Sequence, residues 1–344
     1  MFKNLMNNYY FGKAGKADLT PDDLPTNRWQ LFLDTLRTRF SALIRLNLMY
    51  VVAWIPTIIV IAICFTGFLN VSNQLDLGDG TSIQSQAYDQ VAADIAAGIE
   101  VSETDKELYS SRLPVLTSQE ASDQLLGLVN ITLLLLIPCI AITGPVTSGV
   151  CYVTQHWSRD EHAFIWSDFK DAMKENWKQS LVVSLITGVL PLAVYTGYRF
   201  YGSMALTQPL MIVPQVLLIM VGIVWAISVT YMYPLIVSYR LRMRDVIHNA
   251  LMLAIARLPM SVGIRVLHLL PCAIGVAGAL FLNAQWFMLG LLLYYVLFGY
   301  SFSRFITSSY TNAVFDRFIN PRIEGAPVNR GLHIEEEDDG EDEE

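Results

Sequence analysis

Two ionisable side chains share one apolar stretch of this sequence, Arg265 and His268. They are three residues apart, and therefore on one face of a helix, shortly before Pro271. An ionisable pair inside a membrane span is costly and by default marks a functional site. The alternative is a long arginine side chain that reaches back to the interface beside a packed histidine. The residues alone leave both interpretations open.

A second concentration of charge begins at Arg159 and continues through Asp160 and Glu161. It directly follows an almost uncharged stretch that ends in small residues such as Ser148 and Gly149, which permit close helix contact. Such a boundary is typical of a helix that leaves the membrane among lipid headgroups. The trio is therefore a candidate contact with lipid or a partner protein, and a catalytic cluster is the alternative.

Motifs for catalysis, cofactors and metals are missing from the sequence. It contains no Gly-x-Ser-x-Gly elbow, no phosphate loop and no His-Glu-x-x-His. His156 and His162 are too far apart for a zinc pair on neighbouring helical turns. The cysteines lack paired spacing and are expected to be reduced and unbridged: Cys64, Cys139, Cys151 and Cys272. We therefore expect a non-enzymatic protein that holds no cofactor and no metal.

The composition indicates the environment of these residues. Of 344 residues, 53% are hydrophobic and only 16% are charged, which favours a membrane protein. The apolar residues form six blocks long enough to cross a hydrocarbon core, each free of Asp, Glu and Lys. The predicted spans are residues 46–69, 125–150, 180–201, 209–237, 260–282 and 284–306. The fold class predicted is an all-α integral membrane protein with six transmembrane helices.

Orientation follows from the lysines and arginines, because basic residues near span ends stay on the cytoplasmic side. They concentrate in residues 1–45, 151–179 and 240–259 and after residue 303, whereas Lys106, Arg112 and Arg199 fall on the other side. Both termini are therefore predicted to be cytoplasmic. The domain organisation predicted is a cytoplasmic segment 1–45, a membrane domain 46–306 and a cytoplasmic segment 307–344.

Amphipathic helices are predicted at the cytoplasmic interface, over residues 161–178 and 245–258 and within the N-terminal segment. The helix 161–178 carries Lys170, Lys174 and Lys178 along one stripe and Trp177 on its apolar stripe. This pattern suits contact with anionic lipid or with a partner protein. Apolar residues before the first, third and fifth spans share the spacing 3, 4, 4. Three repeats of an amphipathic helix followed by a transmembrane hairpin would explain this, although any helical stripe uses such steps.

Two acidic segments flank this membrane domain. The loop 70–124, predicted to be extracytoplasmic, carries ten acidic residues against two basic ones, and residues 335–344 carry nine acidic residues. We expect a small, partly helical cap in the loop, a turn rather than a metal site at residues 76–80, and a solvated tail. A chain of net charge −8 without a folded basic domain is no candidate for nucleic-acid binding.

The stretches "TGPVTSGVCYVTQHWSRDE", "FKDAMKENWKQS" and "HNALMLAIARLP" resemble the YesL-type family of bacterial integral membrane proteins, over roughly residues 28–320. The resemblance implies a bacterial plasma-membrane location. It also implies a link to carbohydrate uptake, since such proteins are often encoded beside carbohydrate ABC importers. No catalytic residue is established for the family. The long acidic loop and the acidic tail depart from its pattern and leave the choice of partner open.

Two functions are compatible with these features. The first is an accessory or scaffold component that binds the lipid bilayer and a carbohydrate ABC importer or membrane sensor. The second is a permease-like transport subunit that forms a solute pathway. Proline-interrupted spans suit broken transport helices but also occur in static bundles. The absence of carboxylates within the spans argues against a proton relay.

Overall fold

The computed structural model describes residues 24–110, 113–282 and 284–333, and these ranges are helical apart from loops and one isolated bridge between Leu75 and Leu116. The helices are α1 Arg28–Thr38, α2 Phe40–Gln74, α3 Ile83–Ala96, α4 Glu103–Ser110, α5 Ser118–Trp157, α6 Ser167–Ala205, α7 Ile212–Ser238, α8 Met243–Ala256, α9 Leu258–Phe281, α10 Ala284–Tyr294 and α11 Tyr300–Phe318. A π-helical segment, Tyr295–Gly299, joins α10 to α11, so the two form one long rod.

Six helical rods are long and apolar enough to cross a membrane, as the sequence predicts. They are Phe40–Gln74, Ser118–Trp157, Ser167–Ala205, Pro209–Ser238, Leu258–Phe281 and Gln285–Arg322. The chain is therefore a multi-pass membrane protein. Several rods exceed what a bilayer needs: the 40 residues of α5 extend about 60 Å, twice the hydrocarbon thickness. The surplus length projects from the membrane.

One end of the bundle, which we call the basic end, carries Arg28, Arg39, Arg159 and Arg330. The backbone N–H of His333 donates to the carbonyl of Pro25 at 3.0 Å, so the first and last described residues meet at this end. Buried residues concentrate in the same half of the bundle, around Leu46, Trp157 and Tyr231 on three different rods. By contrast, at most 22% of the residues are buried in the most apolar 18-residue window of any rod. This is expected for helices in contact with lipid.

The tightest helix pair is α5 against α6, where the predicted small residues lie. A Cβ on Gly149 would lie 2.7 Å from the carbonyl oxygen of Phe169, so a larger residue would push the helices apart. Pro145 has no N–H and leaves the carbonyl of Ala141 without its helical partner. The hydroxyl of Ser184 on α6 donates to that carbonyl at 2.8 Å. The proline is thus accommodated by a contact from the neighbouring helix.

Each predicted amphipathic segment is helical over most of its length and leads directly into a span. Helix α1 meets α2 at a break at Arg39, and α8 meets α9 at a break at Arg257, whereas α6 continues unbroken into the third span. The predicted start of the amphipathic helix 161–178 is wrong, because α6 begins at Ser167. Residues 161–166 instead form a loop that packs Ala163 into the core. A rotational relation among the three units stays a prediction.

The loop between the first two spans closes the opposite end, which we call the loop end. It contains α3 and α4, in agreement with the predicted helical cap, and the hydroxyl of Ser102 accepts from the N–H of Asp105 at 3.2 Å. Asp76 accepts from the backbone N–H groups of Gly78 and Gly80, at 2.9 and 3.0 Å. Since both glycines have positive φ, residues 76–80 form the predicted turn.

Candidate functional site

Arg159, the first residue of the predicted charge cluster, forms a hydrogen bond at the centre of the basic end. Its Nε donates to Oδ1 of Asn312 on α11 at 3.0 Å. Nδ2 of the same amide donates to the carbonyl of Gln155 at 3.2 Å and also to the hydroxyl of Ser158. Burial lowers the pKa of the Arg159 guanidinium from its ordinary value, while Glu161 opposes that shift.

Polar side chains continue this contact down the interface of α5 and α11. Nε2 of Gln155 donates to the hydroxyl of Thr311 at 3.0 Å, and the hydroxyls of Thr154 and Ser308 lie 2.8 Å apart. These four side chains are nearly inaccessible to solvent. Buried polar groups of this kind fix one helix register, because any shift would leave several of them unpaired.

Helix α1 joins α11 through an ion pair between Arg28 and Asp316. The other oxygen of Asp316 accepts from Nδ2 of Asn320 at 2.6 Å, and Asn320 accepts from the Tyr239 hydroxyl at 2.6 Å. Burial lowers the pKa of the Arg28 guanidinium and the Asp316 carboxylate opposes this. We call Arg28, Gln155, Arg159, Asn312 and Asp316 the basic-end network.

Glu161 and Asp160 connect the network to Arg330 and Arg39. Glu161 accepts from Nη1 of Arg330 at 2.6 Å and lies 3.6 Å from Nε2 of His156. Asp160 is exposed, with a positive φ of 57°, and lies 3.9 Å from Arg39. The predicted trio thus holds helix ends and terminal segments together. Arg159 and Glu161 are engaged within the protein, so Asp160 is the member that faces outward.

The predicted lysine helix occupies the first three turns of α6. Phe169 and Ala172 are buried against the bundle, while Lys170, Lys174 and Lys178 are exposed. Trp177, placed by the sequence on the apolar stripe, is 48% exposed, and Nζ of Lys178 lies 5.7 Å from the centroid of its ring. Within the described part of the chain these lysines form no ion pair. They are free to meet an acidic surface.

A groove of about 640 Å³ runs beside this helix. Lys178 lines one side of it, Arg240 and Arg242 line the other, and Glu175 is the acidic residue in its wall. The groove lies between two rods of the rigid basic end. It extends the positive surface of the lysine helix toward the loop that joins α7 to α8.

The predicted pair Arg265 and His268 lies on the face of α9 turned toward α11. The hydroxyl of Thr307 lies 3.4 Å from Nε2 of His268. Nε of Arg265 is inaccessible to solvent and has no hydrogen-bond partner. The Arg265 side chain is therefore not fully extended into the membrane interface.

Arg304 on α11 is a third cation beside this pair, and sequence analysis missed it. Its guanidinium carbon lies 5.4 Å from the centroid of the Tyr233 ring, and it is one turn from Thr307, whose hydroxyl lies near His268. The sequence had grouped it with the cytoplasmic arginines because it falls two residues before the end of the predicted sixth span. In the sequence, Arg304 lies three residues before Thr307 and therefore on the same helical face, and this spacing was the signal that could have identified it.

The cysteines are unbridged, as predicted, with Cys151 buried in the core. Among the described residues, no group of three histidine, cysteine, aspartate or glutamate side chains is arranged to hold a metal ion. The geometry therefore offers cationic surfaces and a polar network as the features available for function.

One family model matches the chain over residues 126–198, and its description is "Protein of unknown function, DUF624". The matched segment runs from the second span through the charge cluster and the lysine helix into the third span. It contains Pro145, Arg159 and Lys170, three of the residues described above. No curated protein and no solved structure matches the chain.

Proposed function

We propose that this chain is a non-enzymatic protein of the bacterial plasma membrane, an accessory or scaffold component linked to carbohydrate uptake or its regulation. The resemblance to YesL-type proteins supplies the link to carbohydrate uptake, and the match over residues 126–198 supports a relationship to an uncharacterised family. We infer that both termini are cytoplasmic from the concentration of lysines and arginines in residues 1–45, 151–179 and 240–259 and after residue 303.

The observation that carries this proposal is the fixed but unpaired lysine stripe of α6. Phe169 and Ala172 anchor the helix, and the basic-end network holds the rods around it in one register. A rigid helix loses little conformational entropy when a partner binds it. Its three lysines are thus carried by one fixed helix at the basic end, on a stripe beside the exposed carboxylates of Asp171 and Glu175.

The partner that fits this surface is the acidic cytoplasmic face of a carbohydrate ABC importer or of a membrane sensor. Complementary charge would steer the two proteins together and fix their orientation. The groove beside the helix, with Arg240 and Arg242, enlarges the same positive surface. Anionic lipid is the competing ligand for the lysines, because exposed Trp177 and Lys178 also suit the headgroup region.

The test reverses the charge of the stripe with Lys170→Glu, Lys174→Glu and Lys178→Glu in the full chain. We expect the importer or sensor to be lost from the purified complex while the protein inserts at its normal level. A matched control reverses three exposed arginines at the same end, Arg37, Arg244 and Arg317, with the same change in net charge.

Retention of the partner by the lysine variant would contradict the proposal. The lipid alternative is separated by binding a peptide of residues 161–178 to vesicles with and without phosphatidylglycerol. If charge reversal abolishes only vesicle binding and leaves the complex intact, the stripe binds lipid rather than a partner.

A permease-like transport subunit is the second candidate, and the observation that favours it is the cation group Arg265, His268 and Arg304 between spans. If these side chains line a solute pathway, Arg265→Leu should abolish sugar-dependent uptake at normal abundance. An accessory protein should tolerate this change. Uptake lost with the complex intact would therefore favour the pore.

A further inference from the structure

We propose that the acidic segment 335–344 docks within its own chain onto the groove beside α6, rather than extending into solvent. We call this cavity of about 640 Å³, lined by Lys178, Arg240 and Arg242, the basic groove. The segment carries nine acidic residues in ten and lies outside the described residues. A docked segment also limits access to the neighbouring lysine stripe. That consequence rests on the proposed scaffold function, whereas the docking itself does not.

The first argument is the charge of the basic groove. Its three basic side chains are exposed, and within the described part of the chain none of them forms an ion pair. Among the described residues that line the groove, Glu175 is the acidic one. The groove therefore keeps an excess of positive charge. A cleft lined by charges of one sign attracts a ligand of the opposite sign, and the acidic segment has that charge.

The second argument is the place where the described chain ends. Nη1 of Arg28 donates to the carbonyl of Arg330 at 3.2 Å. The backbone N–H of His333 donates to the carbonyl of Pro25 at 3.0 Å. Residues 330–333, which we call the anchor, are therefore held at the basic end. The acidic segment begins two residues after the anchor.

The third argument is the short distance between the anchor and the basic groove. Nη1 of Arg330 donates to Glu161 at 2.6 Å, and the other carboxylate oxygen of Glu161 lies 3.6 Å from Nε2 of His156. The rings of His156 and Tyr152 have centroids 4.1 Å apart, and Tyr152 lines the groove. With ordinary bond lengths, these contacts place the groove wall within about 15 Å of the Arg330 guanidinium.

The fourth argument is the length of the chain that follows the anchor. Residues 334–344 number eleven, and eleven extended residues span about 35 Å. The segment is therefore long enough to reach the groove. Its attachment also gives it a local concentration on the order of millimolar. Surface ion pairs that are individually weak can hold a ligand that is tethered in this way.

Disulfide crosslinking in the full chain tests the docking, after the native cysteines are replaced. Gly340→Cys places a thiol within the segment without removing an acidic side chain, and Asn176→Cys places a second thiol in the groove wall. We call these two the groove pair. The control pair combines Gly340→Cys with Gln30→Cys. Gln30 is exposed and adjoins Leu31, whose side chain lies against Gly331 in the anchor.

In phosphatidylcholine nanodiscs the groove pair should crosslink at least about tenfold faster than the control pair, because an undirected tether would reach both positions. Raising the salt from about 0.05 M to about 0.5 M should remove most of this preference. The product should keep the mass of one chain on a non-reducing gel. Equal rates for the two pairs would overturn the proposal. Products of twice the mass would do the same, because they would identify a second copy as the source of the segment.

Charge reversal in the groove shows whether its arginines cause the preference. Arg240→Glu together with Arg242→Glu should slow crosslinking of the groove pair about tenfold. The matched control is Arg244→Glu together with Arg317→Glu, which changes the net charge equally at exposed positions outside the groove. It should leave the rate unchanged. Equal slowing by both double variants would contradict recognition by the groove.

Neutralisation of the segment is a second measurement, and it leaves the groove unaltered. The substitutions flank the thiol at position 340: Glu336→Gln, Glu337→Gln, Asp338→Asn and Asp339→Asn. They should slow crosslinking of the groove pair by a similar factor, because the groove then meets a segment with less negative charge. An unchanged rate would refute docking by charge.

Anionic lipid is the competing occupant of the groove. The preference for the groove pair should persist in nanodiscs that contain phosphatidylglycerol, and its disappearance there would assign the groove to lipid and overturn the proposal. Failure of the docking is distinguishable from failure of the scaffold function. Crosslinking is tested with changes at Arg240 and Arg242, which leave Lys170, Lys174 and Lys178 in place, whereas partner capture is tested with changes at those lysines.

Discussion

Nε of Arg159 donates to Oδ1 of Asn312 across 153 residues of sequence and a distance of 3.0 Å. This bond joins the exit of the second span to the last helix. Because Asn312 also donates to the carbonyl of Gln155 and to Ser158, one amide from α11 contacts three groups at the end of α5. The basic end therefore depends on a residue with no charge of its own.

Asn312→Ala should destabilise the folded protein by about 2–3 kcal/mol. The reason is that it leaves the Nε–H of Arg159 without its acceptor, while the Ser158 hydroxyl still donates to the carbonyl of Gln155. Thermal or denaturant unfolding in detergent measures the loss. Asn130→Ala, at an exposed position of α5, is the control and should change stability little. Equal effects of the two substitutions would show that the amide contacts do not support the fold.

Asp316→Asn should release α1 from the bundle, because it removes the charge that pairs with Arg28. Both side chains are partly exposed, at 23% and 12%, so we expect a modest loss of about 1–2 kcal/mol. Limited proteolysis around residues 24–30 should become faster. The charge swap Arg28→Asp with Asp316→Arg should restore part of the protection, which a purely steric effect of residue 316 would not allow.

Gly144→Ala should separate α5 from α6, because the added Cβ would overlap the carbonyl oxygen of Ser180. Overpacking of this kind typically costs about 1–3 kcal/mol. Gly127→Ala on the same helix is the control, since a Cβ there meets nothing within 4 Å. It should be neutral or slightly stabilising, as alanine favours helix. Comparable unfolding temperatures for the two variants would argue against the close approach.

Topology can be tested with single cysteines in a chain whose native cysteines are replaced. Gln90→Cys and Val115→Cys should react with an impermeant maleimide from outside intact cells. Asp168→Cys and His248→Cys should not, because they lie at the basic end, predicted to be cytoplasmic. Glu335→Cys should behave like these two, although it lies outside the described residues. Labelling of Asp168→Cys from outside would reverse the predicted orientation.

Sequence analysis located all six spans because the signal for each is local. About 20 consecutive apolar residues identify a span regardless of its neighbours, and every predicted block falls within or nearly within a rod of the structure. The turn at Asp76 and the cap at Ser102 were predictable for the same reason. Both depend on residues a few positions apart.

What the sequence alone determined is therefore the set of helices, the membrane class and the positions where charge begins. Only the tertiary structure decided which charges meet. Arg28 pairs with Asp316, 288 residues away, and Arg304 lies against the ring of Tyr233 although the sequence had assigned it to the cytoplasmic side. The physical reason is that apolar length acts along the chain, whereas hydrogen bonds and ion pairs depend on which helix faces pack together. Many sequence positions can satisfy a span, but only one packing arrangement places Asn312 beside Arg159.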